Sequence, residues 1–381
     1  MTKTLVTALL AVGMTIRSPA QPSFGDDVEF LKKYTRVALL GRGDAQVAVC
    51  PAYQGRVMTS TASGPSGPSL GWIHREHIAA GKLVPHINVF GGEDRFWIGP
   101  EGGQFSVFFK KGDPFDLEHW QTPAPIDSDV WTGTEGREAV RFRKPMSLVN
   151  YSGTTFDVEV DRQVHILAPE QIRRFLGVAL AGDAKAVAFQ SENRITNTGK
   201  APWQKETGLL SVWILGMFPP SPTTIVVIPF RPGPRNSLGP VVNDAYFGKV
   251  PADRLVLGRN VLFFRADGQH RGKIGLSPRR AKPLLGSYDS ENGMLTIVQY
   301  TLPAGATGYV NSMWELQKNP YGGDTVNSYN DGPPQPGAKP LGPFYELETS
   351  SPAAALAPGA RVVHAHRTFH FVGPEGCLPE S

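Results

Sequence analysis

The sequence predicts an all-β protein, a large antiparallel β-sandwich with a few short helices, and three observations lead to this fold class. The 42 glycines and 34 prolines among 381 residues are spread along the whole chain, and such spacing discourages long helices. Between them lie many segments in which apolar and polar residues alternate with a period of two, which is typical of half-buried strands. So many strands with so few helical segments favour two sheets packed face to face.

The first twenty residues differ from the rest of the chain. A short basic start, MTK, precedes an apolar run that ends at Ile16, and small residues at 18–20 suit a signal peptidase. The run is shorter than the roughly 20 residues that a membrane span requires, and no later segment reaches that length. We predict a cleaved signal peptide at 1–20, export to the periplasm or the cell exterior, no membrane span, and a single β-sandwich domain at 21–381.

The predicted elements follow in chain order. Two stretches have helical character, VEFLKKYTRVALLGRG and LGWIHREHIAAGK, and between them AQVAVCPAYQGRVMTSTA predicts two short strands. The clearest later strand runs from Phe156 to Ile166, with apolar residues on one face and polar residues on the other, as in an antiparallel strand with one solvated face. The further predicted strands are QFSVFF, AVRFRKPMSLVN, VAFQSENRITNTG, LLSVWILGMF, TTIVVIPF, VLFFRA, GKIGLS, GMLTIVQYTL, GYVNSMWEL, FYELETS and VVHAHRTFHF.

Charge and motif content exclude several function classes. The 38 basic and 34 acidic residues are interspersed and the formal net charge is +4, which argues against a nucleic-acid partner because such proteins cluster their cations. No Gly-x-Ser-x-Gly elbow, Walker loop or His-Glu-x-x-His motif occurs, so serine-hydrolase, NTPase and zinc-protease functions have no support. The two cysteines, Cys50 and Cys377, are compatible with a disulfide or with two free thiols.

Two glutamates stand two residues apart in the predicted strand FYELETS. Successive strand side chains point to opposite faces, so Glu346 and Glu348 share a face with Phe344. Tyr345 and Leu347 fill the other face. A close carboxylate raises the pKa of its neighbour, and such pairs serve in proton transfer or cation binding. We expect the two glutamates to belong to a functional site, the alternative being a solvent-facing pair without a role.

The segment GGEDRFWIGPEGG offers side chains suited to sugars. Arg95 and Glu101 can hydrogen-bond hydroxyl groups, and Trp97 presents a flat apolar face on which a pyranose ring can stack. The alternative interpretation is a pair of hairpin turns bridged by a short strand, with Arg95 in a salt bridge. The glycines permit sharp turns in either case.

The loop segment GGDTVNSYNDG carries Asp324, Asn327, Asn330 and Asp331. Such oxygen ligands suit calcium, although their spacing differs from that of an EF-hand. An Asx-turn loop without a ligand is a second interpretation. Direct contact with sugar hydroxyls is favoured over calcium, so no cofactor is required and calcium remains an option.

Three histidines occupy one face of the last predicted strand. His364 and His366 have the spacing of a metal pair, whereas His370 is too far along the strand, at about 3.3 Å per residue, to join them. The opposite face is apolar and suits the core. We therefore expect the histidines to face solvent or a sheet surface, and we predict no metal site.

The C-terminal segment LETSSPAAALAPGARVVHAHRTFHF resembles that of aldose 1-epimerases, the galactose mutarotases. In that family a strand ending in Leu-Glu-Thr carries the catalytic base, and a Leu-x-Pro-Gly turn and a final strand follow; residues 347–349, 356–359 and 361–371 match these features. SENRITNTG resembles a strand and turn of the same fold. VVNDAYFGKV resembles the segment that bears the catalytic acid, with Asp244 in place of its histidine.

FGGEDRFWIGPEGGQFSVFF together with PYGGDTVNSYNDGP resembles a group of uncharacterised exported bacterial proteins of the galactose mutarotase-like superfamily. The resemblance implies a galactose mutarotase-like β-supersandwich and an activity that interconverts sugar anomers. Glu348 is then the general base at the C1 hydroxyl, and an acid must protonate the ring oxygen. Asp244 can serve as that acid only if it is held protonated, and His74, His77 and His86 are alternative acids.

These observations predict a carbohydrate-active exported protein whose partner is a mono- or oligosaccharide. The alternatives are a carbohydrate-binding protein without turnover, and a glycoside hydrolase or polysaccharide lyase on the same fold. A hydrolase needs two carboxyl groups that flank the scissile bond, so Asp324 or Glu101 would have to face Glu348. The expected substrate-binding residues are Arg95, Trp97, Glu101, Asp324, Asn327, Asn330 and Glu346.

Overall fold

The computed structural model describes residues 22–177, 184–335 and 337–373. The predicted signal peptide and Cys377 lie outside these residues. Across the described ranges, the helices all lack the length and apolar character needed to cross a bilayer.

Short helices connect the strands of the described chain. The first begins with a capping box, in which the Ser23 hydroxyl accepts from the Asp26 N–H and the Asp26 carboxylate accepts from the Ser23 N–H; such boxes satisfy the free N–H groups of a helix start. The helices are α1 (Phe24–Lys32), α2 (Arg75–Ala80), α3 (Ala124–Asp127), α4 (Pro169–Leu176) and α5 (Arg235–Leu238), with a 3-10 turn at Pro51–Tyr53.

The strands are mostly short. In the first half of the chain they are β1 (Ala38–Arg42), β2 (Ala45–Cys50), β3 (Arg56–Thr61), β4 (Arg95–Gly99), β5 (Gly133–Glu135), β6 (Ala139–Val149), β7 (Thr155–Ile166), β8 (Lys185–Asn197) and β9 (Ser211–Phe218). In the second half they are β10 (Ile225–Pro229), β11 (Leu255–Leu257), β12 (Val261–Arg265), β13 (Gly272–Leu276), β14 (Leu284–Asp289), β15 (Met294–Tyr300), β16 (Val326–Asn330), β17 (Tyr345–Ser350) and β18 (Arg361–Val372).

These strands form three antiparallel sheets. A ten-stranded sheet has the order β11-β12-β10-β14-β15-β18-β8-β7-β6-β5, a five-stranded sheet has the order β13-β16-β17-β9-β4, and β1, β2 and β3 form a small third sheet. The predicted all-β fold of large packed antiparallel sheets is therefore confirmed.

Most predicted strands are present, and the differences lie where local pattern misleads. The first predicted helix ends at Lys32, because 38–42 pair with 45–49 across a turn at Gly43, whose φ of 60° suits glycine. QFSVFF and GYVNSMWEL are irregular segments rather than strands. Four strands were not predicted: β5, β11, β14, and β16, which lies in a stretch interpreted as loop. The strand β4 corresponds to the short strand of the alternative interpretation of GGEDRFWIGPEGG.

The core fills the space between the two larger sheets. Tyr345 and Leu347 of β17 pack there with Val298 of β15 and Phe264 of β12, and the inward residues of β7 are almost fully buried. The predicted two-faced patterns of β7 and β17 are confirmed.

Arg162 lies fully buried on the apolar face of β7. Its guanidinium donates to the Asp94 carboxylate at 2.6 Å and to the Asn193 amide oxygen at 2.6 Å. Asp94 lies just before β4, so this ion pair connects the ten-stranded sheet to the chain that enters the five-stranded sheet. A buried charge of this kind is tolerated because it is paired and hydrogen-bonded.

Of the two expected positions for the β18 histidines, facing solvent or a sheet surface, the first is wrong because they lie on an inner sheet surface. His364, His366 and His370 are fully buried between the sheets. His364 Nε2 and His366 Nδ1 lie 2.8 and 2.9 Å from the Thr349 hydroxyl of β17. At Phe369 and Phe371 the opposite face of β18 is also covered, by α4 and neighbouring apolar side chains, so this half of the strand is buried on both faces and carries polar residues on one of them.

We expect the protein to lose stability in acid because of these histidines. Burial lowers the pKa of His364 to about 3 and that of His366 to about 4, from 6.5. Below pH 6.5 these histidines bind protons in the unfolded chain but stay neutral in the folded chain. The free energy of unfolding is therefore highest above pH 6.5 and falls by about 1.4 kcal/mol per histidine for each pH unit below it.

Urea titrations between pH 7 and pH 4 measure this slope. His364→Gln should make it shallower, whereas His119→Gln, at a partly exposed surface position paired with Asp116, should leave the acid slope of the protein largely unchanged. An unaltered slope in His364→Gln would contradict the assignment.

Candidate functional site

A cavity of about 510 Å³ lies on the face of the five-stranded sheet that is turned away from the core. Side chains of all five of its strands form the floor, because alternate residues of each strand point outward. The floor residues are Arg95 and Trp97 of β4, Trp213, Leu215 and Met217 of β9, Lys273 of β13, and Tyr329 of β16 with Glu346 of β17. Loops form the walls, contributing His74, His77, His86, Glu101, Trp120, Phe247, Arg271, Trp314, Asp331, Lys339 and Phe344 among others.

Four tryptophans give the cavity flat apolar surfaces. The Trp97 ring centroid lies 5.4 Å from that of Trp213 and 6.4 Å from that of Trp120, and Trp314 lies 5.7 Å from Trp120. The indole N–H groups of Trp97 and Trp120 are buried and have no hydrogen-bond partner among the described residues. Aromatic side chains with an apolar body and a free polar edge suit ligands that are partly apolar and partly polar.

Glu346 forms an ion pair on the cavity floor. Its Oε1 accepts from Arg95 at 2.9 Å, and the Arg95 guanidinium lies 4.1 Å from the Trp97 ring centroid. Burial raises the pKa of Glu346 to about 7, with the Glu348 carboxylate adding to the rise and Arg95 opposing it. A carboxyl group with such a pKa can give or take a proton near neutral pH.

Glu101 is the second carboxyl group in the cavity wall. It follows β4 and is half-buried. Burial raises the pKa of Glu101 to about 7, Glu348 contributes to the rise, and Lys273 and a hydrogen bond from Trp314 oppose it. Two carboxyl groups with pKa values near 7 therefore line one cavity, on a strand and on a loop that are far apart in the chain.

Glu348 lies one layer behind this surface. It has no exposed surface and is not among the lining residues. Its Oε2 accepts from Lys273 Nζ at 3.0 Å and from the Trp213 indole at 2.9 Å, while Oε1 has no partner in the described chain. The expectation that Glu348 itself meets the ligand is thus not supported by its position, whereas Glu346 on the same strand face does line the cavity.

Lys273 joins the acidic groups. Burial alone lowers its pKa, but the carboxylates of Glu348, Glu101 and Glu346 outweigh that effect and raise it. Its ammonium group lies 4.9 Å from the Trp213 ring centroid. Lys273 therefore stays charged and acts as a cation in the cavity floor rather than as a nucleophile.

Asp324 and Asn327 lie beside the site without lining the cavity. The Asp324 carboxylate accepts from the Tyr246 hydroxyl at 2.8 Å and from the Asn243 amide at 3.1 Å, and burial raises its pKa to about 6. Asn327 donates to the Ile274 carbonyl at 3.2 Å. Both belong to a supporting layer around Tyr246, whose ring lies 5.5 Å from Lys273 Nζ.

Asn330 has a structural position. Its amide oxygen accepts from the Gly268 N–H and its amide nitrogen donates to the His270 carbonyl, each at 2.9 Å. It therefore links β16 to the segment 268–270, and both the oxygen and the nitrogen of its amide group are hydrogen-bonded. Asp244 is likewise absent from the cavity lining, so its role as the acid gains no support from its position.

The predicted oxygen-rich loop does not present a common ligand set. Asp324 binds Tyr246, Asn330 binds backbone, and the Asp331 carboxylate accepts from the Tyr329 hydroxyl at 2.6 Å and the Gly342 N–H at 2.8 Å. In the described ranges, no group of three or more potential metal-binding side chains converges.

Several lining residues were missed from the sequence. Trp213 lies in a strand whose strongly apolar sequence indicated a position in the core and no ligand contact. Lys273 lies in GKIGLS, whose pattern predicted a strand but gave no sign of a functional site. Trp120 and Trp314 come from irregular segments, for which periodicity has no signal. The histidines His74, His77 and His86, considered above as acids, do line the cavity.

Comparison with known proteins supports the fold assignment. None of the curated proteins compared with the chain matches it. Among solved structures, the chain is similar to a candidate aldose 1-epimerase from Escherichia coli K12, with 13% identity, a TM-score of 0.53, and coverage of 88% of this chain and 99% of that one. It is also similar to the Slr1438 protein from Synechocystis sp. PCC 6803, with 12% identity, a TM-score of 0.52, and coverage of 89% and 96%.

A third similar structure is a galactose mutarotase-like protein from Lactobacillus casei ATCC 334, with 10% identity, a TM-score of 0.50, and coverage of 88% of this chain and all of that one, 100%. At these identities the likeness establishes the fold, which is galactose mutarotase-like as the sequence motifs implied. The model of a family of unknown function, DUF6786, matches residues 22–380. The chain therefore belongs to that family.

Proposed function

We propose that the cavity binds a saccharide and catalyses proton transfer on it, in the manner of an aldose 1-epimerase. The observation that carries this proposal is the pair of carboxyl groups, Glu101 and Glu346, that line one aromatic cavity and whose pKa values are both raised to about 7. Anomer interconversion needs a base at the C1 hydroxyl and an acid at the ring oxygen, each with a pKa near the working pH.

Glu346 is assigned as the base and Glu101 as the acid. The ion pair with Arg95 at 2.9 Å favours the carboxylate form of Glu346. The Glu348 carboxylate disfavours a negative charge on Glu101, which leaves Glu101 as the proton donor. The C1 hydroxyl proton then passes to Glu346 while Glu101 protonates the ring oxygen, the ring opens, the C1–C2 bond rotates, and the reverse transfers close the other anomer.

Glu348 becomes a positioning residue in this scheme. The resemblance to the epimerases favours it as the base, but its carboxylate is enclosed by Lys273 and Trp213. It holds both of these floor residues in place, and through its charge it raises the pKa of Glu346 and Glu101.

Polarimetry on freshly dissolved α-glucose and α-galactose tests the epimerase proposal. The protein should speed the approach to the equilibrium rotation in proportion to its concentration. Binding of sugars without any change in this rate would instead indicate a carbohydrate-binding protein.

Glycoside hydrolysis is the second candidate, because Glu101 and Glu346 come from a loop and a strand that border the same cavity, as two carboxyl groups flanking a bond must. Release of reducing ends from a polysaccharide panel would favour it over epimerisation. Unsaturated sugar products would indicate a lyase.

A further inference from the structure

Two cations in the cavity wall differ from those in its floor. In the floor, Arg95 is paired with Glu346 at 2.9 Å and Lys273 with Glu348 at 3.0 Å. Arg271 and Lys339 also line the cavity, yet neither forms a salt bridge with any residue in the described parts of the chain. Paired cations are already neutralised, whereas these two leave positive charge beside the ligand space.

Arg271 is held in place by neutral partners. Its guanidinium carbon lies 3.9 Å from the Phe247 ring centroid, and its charge lowers the pKa of the neighbouring Tyr329 hydroxyl against the effect of burial. Stacking of this kind orients a guanidinium while leaving N–H groups of its fork free to bind a ligand. The stacking therefore fixes the position of the Arg271 guanidinium, whereas the guanidinium of an unpaired surface arginine has no fixed position.

The nearest acid in this wall does not satisfy these cations. The Asp331 carboxylate already accepts from the Tyr329 hydroxyl and the Gly342 N–H, and its distance to Arg271 exceeds that of an ion pair. Arg271 and Lys339 bring two positive charges to this wall and Asp331 brings one negative charge. One positive charge is therefore in excess when Glu101, the proposed acid, is protonated. A neutral sugar leaves that excess uncompensated, whereas an anionic group compensates it.

We propose that the saccharide carries an anionic group, a carboxylate, sulfate or phosphate, which binds against Arg271 with Lys339 beside it. This inference rests on the proposed saccharide site and names its substrate class. A planar guanidinium donates two parallel hydrogen bonds to such oxyanions, and the Lys339 ammonium adds a second positive charge to the same cavity.

Matched neutral and acidic ligands test the inference in binding measurements on the full chain. Calorimetry or tryptophan fluorescence measures the affinity for each ligand. Galactose is compared with galacturonate, and glucose with glucuronate, glucose 6-phosphate and glucose 6-sulfate. Neutral trisaccharides are compared with trisaccharides that contain a uronate. We expect the acidic member to bind about tenfold tighter or more, since hydrogen bonds to charged groups are the strong ones, and we expect the difference to shrink at high salt. The three acids distinguish carboxylate, sulfate and phosphate as the preferred group.

Variants locate the effect. Arg271→Gln and Lys339→Gln should each remove most of the preference for the acidic member while leaving the affinity for the neutral member within about twofold. Arg271→Lys should restore only part of it, because a lysine lacks the fork. Arg259→Gln, at an exposed position outside the cavity, removes the same charge and should change nothing.

The outcomes separate this inference from the proposed function. Equal affinity for neutral and acidic ligands, or a preference that survives both Arg271→Gln and Lys339→Gln, would overturn the anionic-group inference and leave the saccharide site standing. Failure of every neutral and acidic saccharide to bind would overturn the proposed function itself.

Discussion

Glu346→Gln should abolish most of the turnover while leaving the fold intact. The substitution keeps the size of the side chain and an oxygen that can accept from Arg95, but it removes the group that takes the proton. Loss of a general base lowers kcat by about 10²- to 10⁴-fold, and the affinity for the sugar should change far less. Polarimetry gives the rate, and calorimetry on the same sample gives the affinity.

Two further substitutions make the result specific. Glu170→Gln, on the exposed surface of α4, should retain full activity. Glu348→Gln should lower the rate less than Glu346→Gln, because Glu348 acts through Lys273 and Trp213. Full activity in Glu346→Gln together with complete loss in Glu348→Gln would show that Glu348 is the base, as its match to the epimerase strand implies.

Lys273→Met should lower the free energy of unfolding by about 3 to 5 kcal/mol, the range found when one partner of a buried ion pair is removed. The variant leaves the enclosed Glu348 carboxylate without its cation, and one of that carboxylate's oxygens already lacks a partner in the described chain. Urea denaturation at pH 7 measures the change.

The double variant Lys273→Met/Glu348→Leu should recover much of the loss, because it removes both charges together. Lys144→Met breaks a partly exposed pair with Asp129 and should cost less than about 1 kcal/mol. If the single and double variants at 273 and 348 were equally unstable, the two charges would not be coupled in the way the structure indicates.

Much of the fold was accessible from the sequence because period-two alternation is a local property. The β7 pattern correctly divided its inward and outward residues, yet it gave no reason to place Arg162 in the core, since the partner that neutralises it, Asp94, lies 68 residues away in the chain. The histidines of β18 were misplaced for the same reason. A strand covered on both faces can bury polar residues when a facing strand supplies a partner, here Thr349 of β17.

The candidate site was accessible only in part. Arg95, Trp97, Glu101 and Glu346 were identified by residue type and by motifs, and all four line the cavity. Asn330 was assigned to the site because its segment resembles a loop, whereas pairing with β13 and β17 makes it a strand residue with both amide groups occupied.

By itself, the sequence determined the class of the fold and the shared face of Glu346 and Glu348, since strand geometry alone sets which side chains point the same way. Only the tertiary structure decided which of the two lines the cavity. Whether a side chain on one strand face is exposed or enclosed depends on the side chains that cover it. The lysine and the tryptophan that enclose Glu348 lie 75 and 135 residues away in the sequence. Local pattern carries no information about such distant partners.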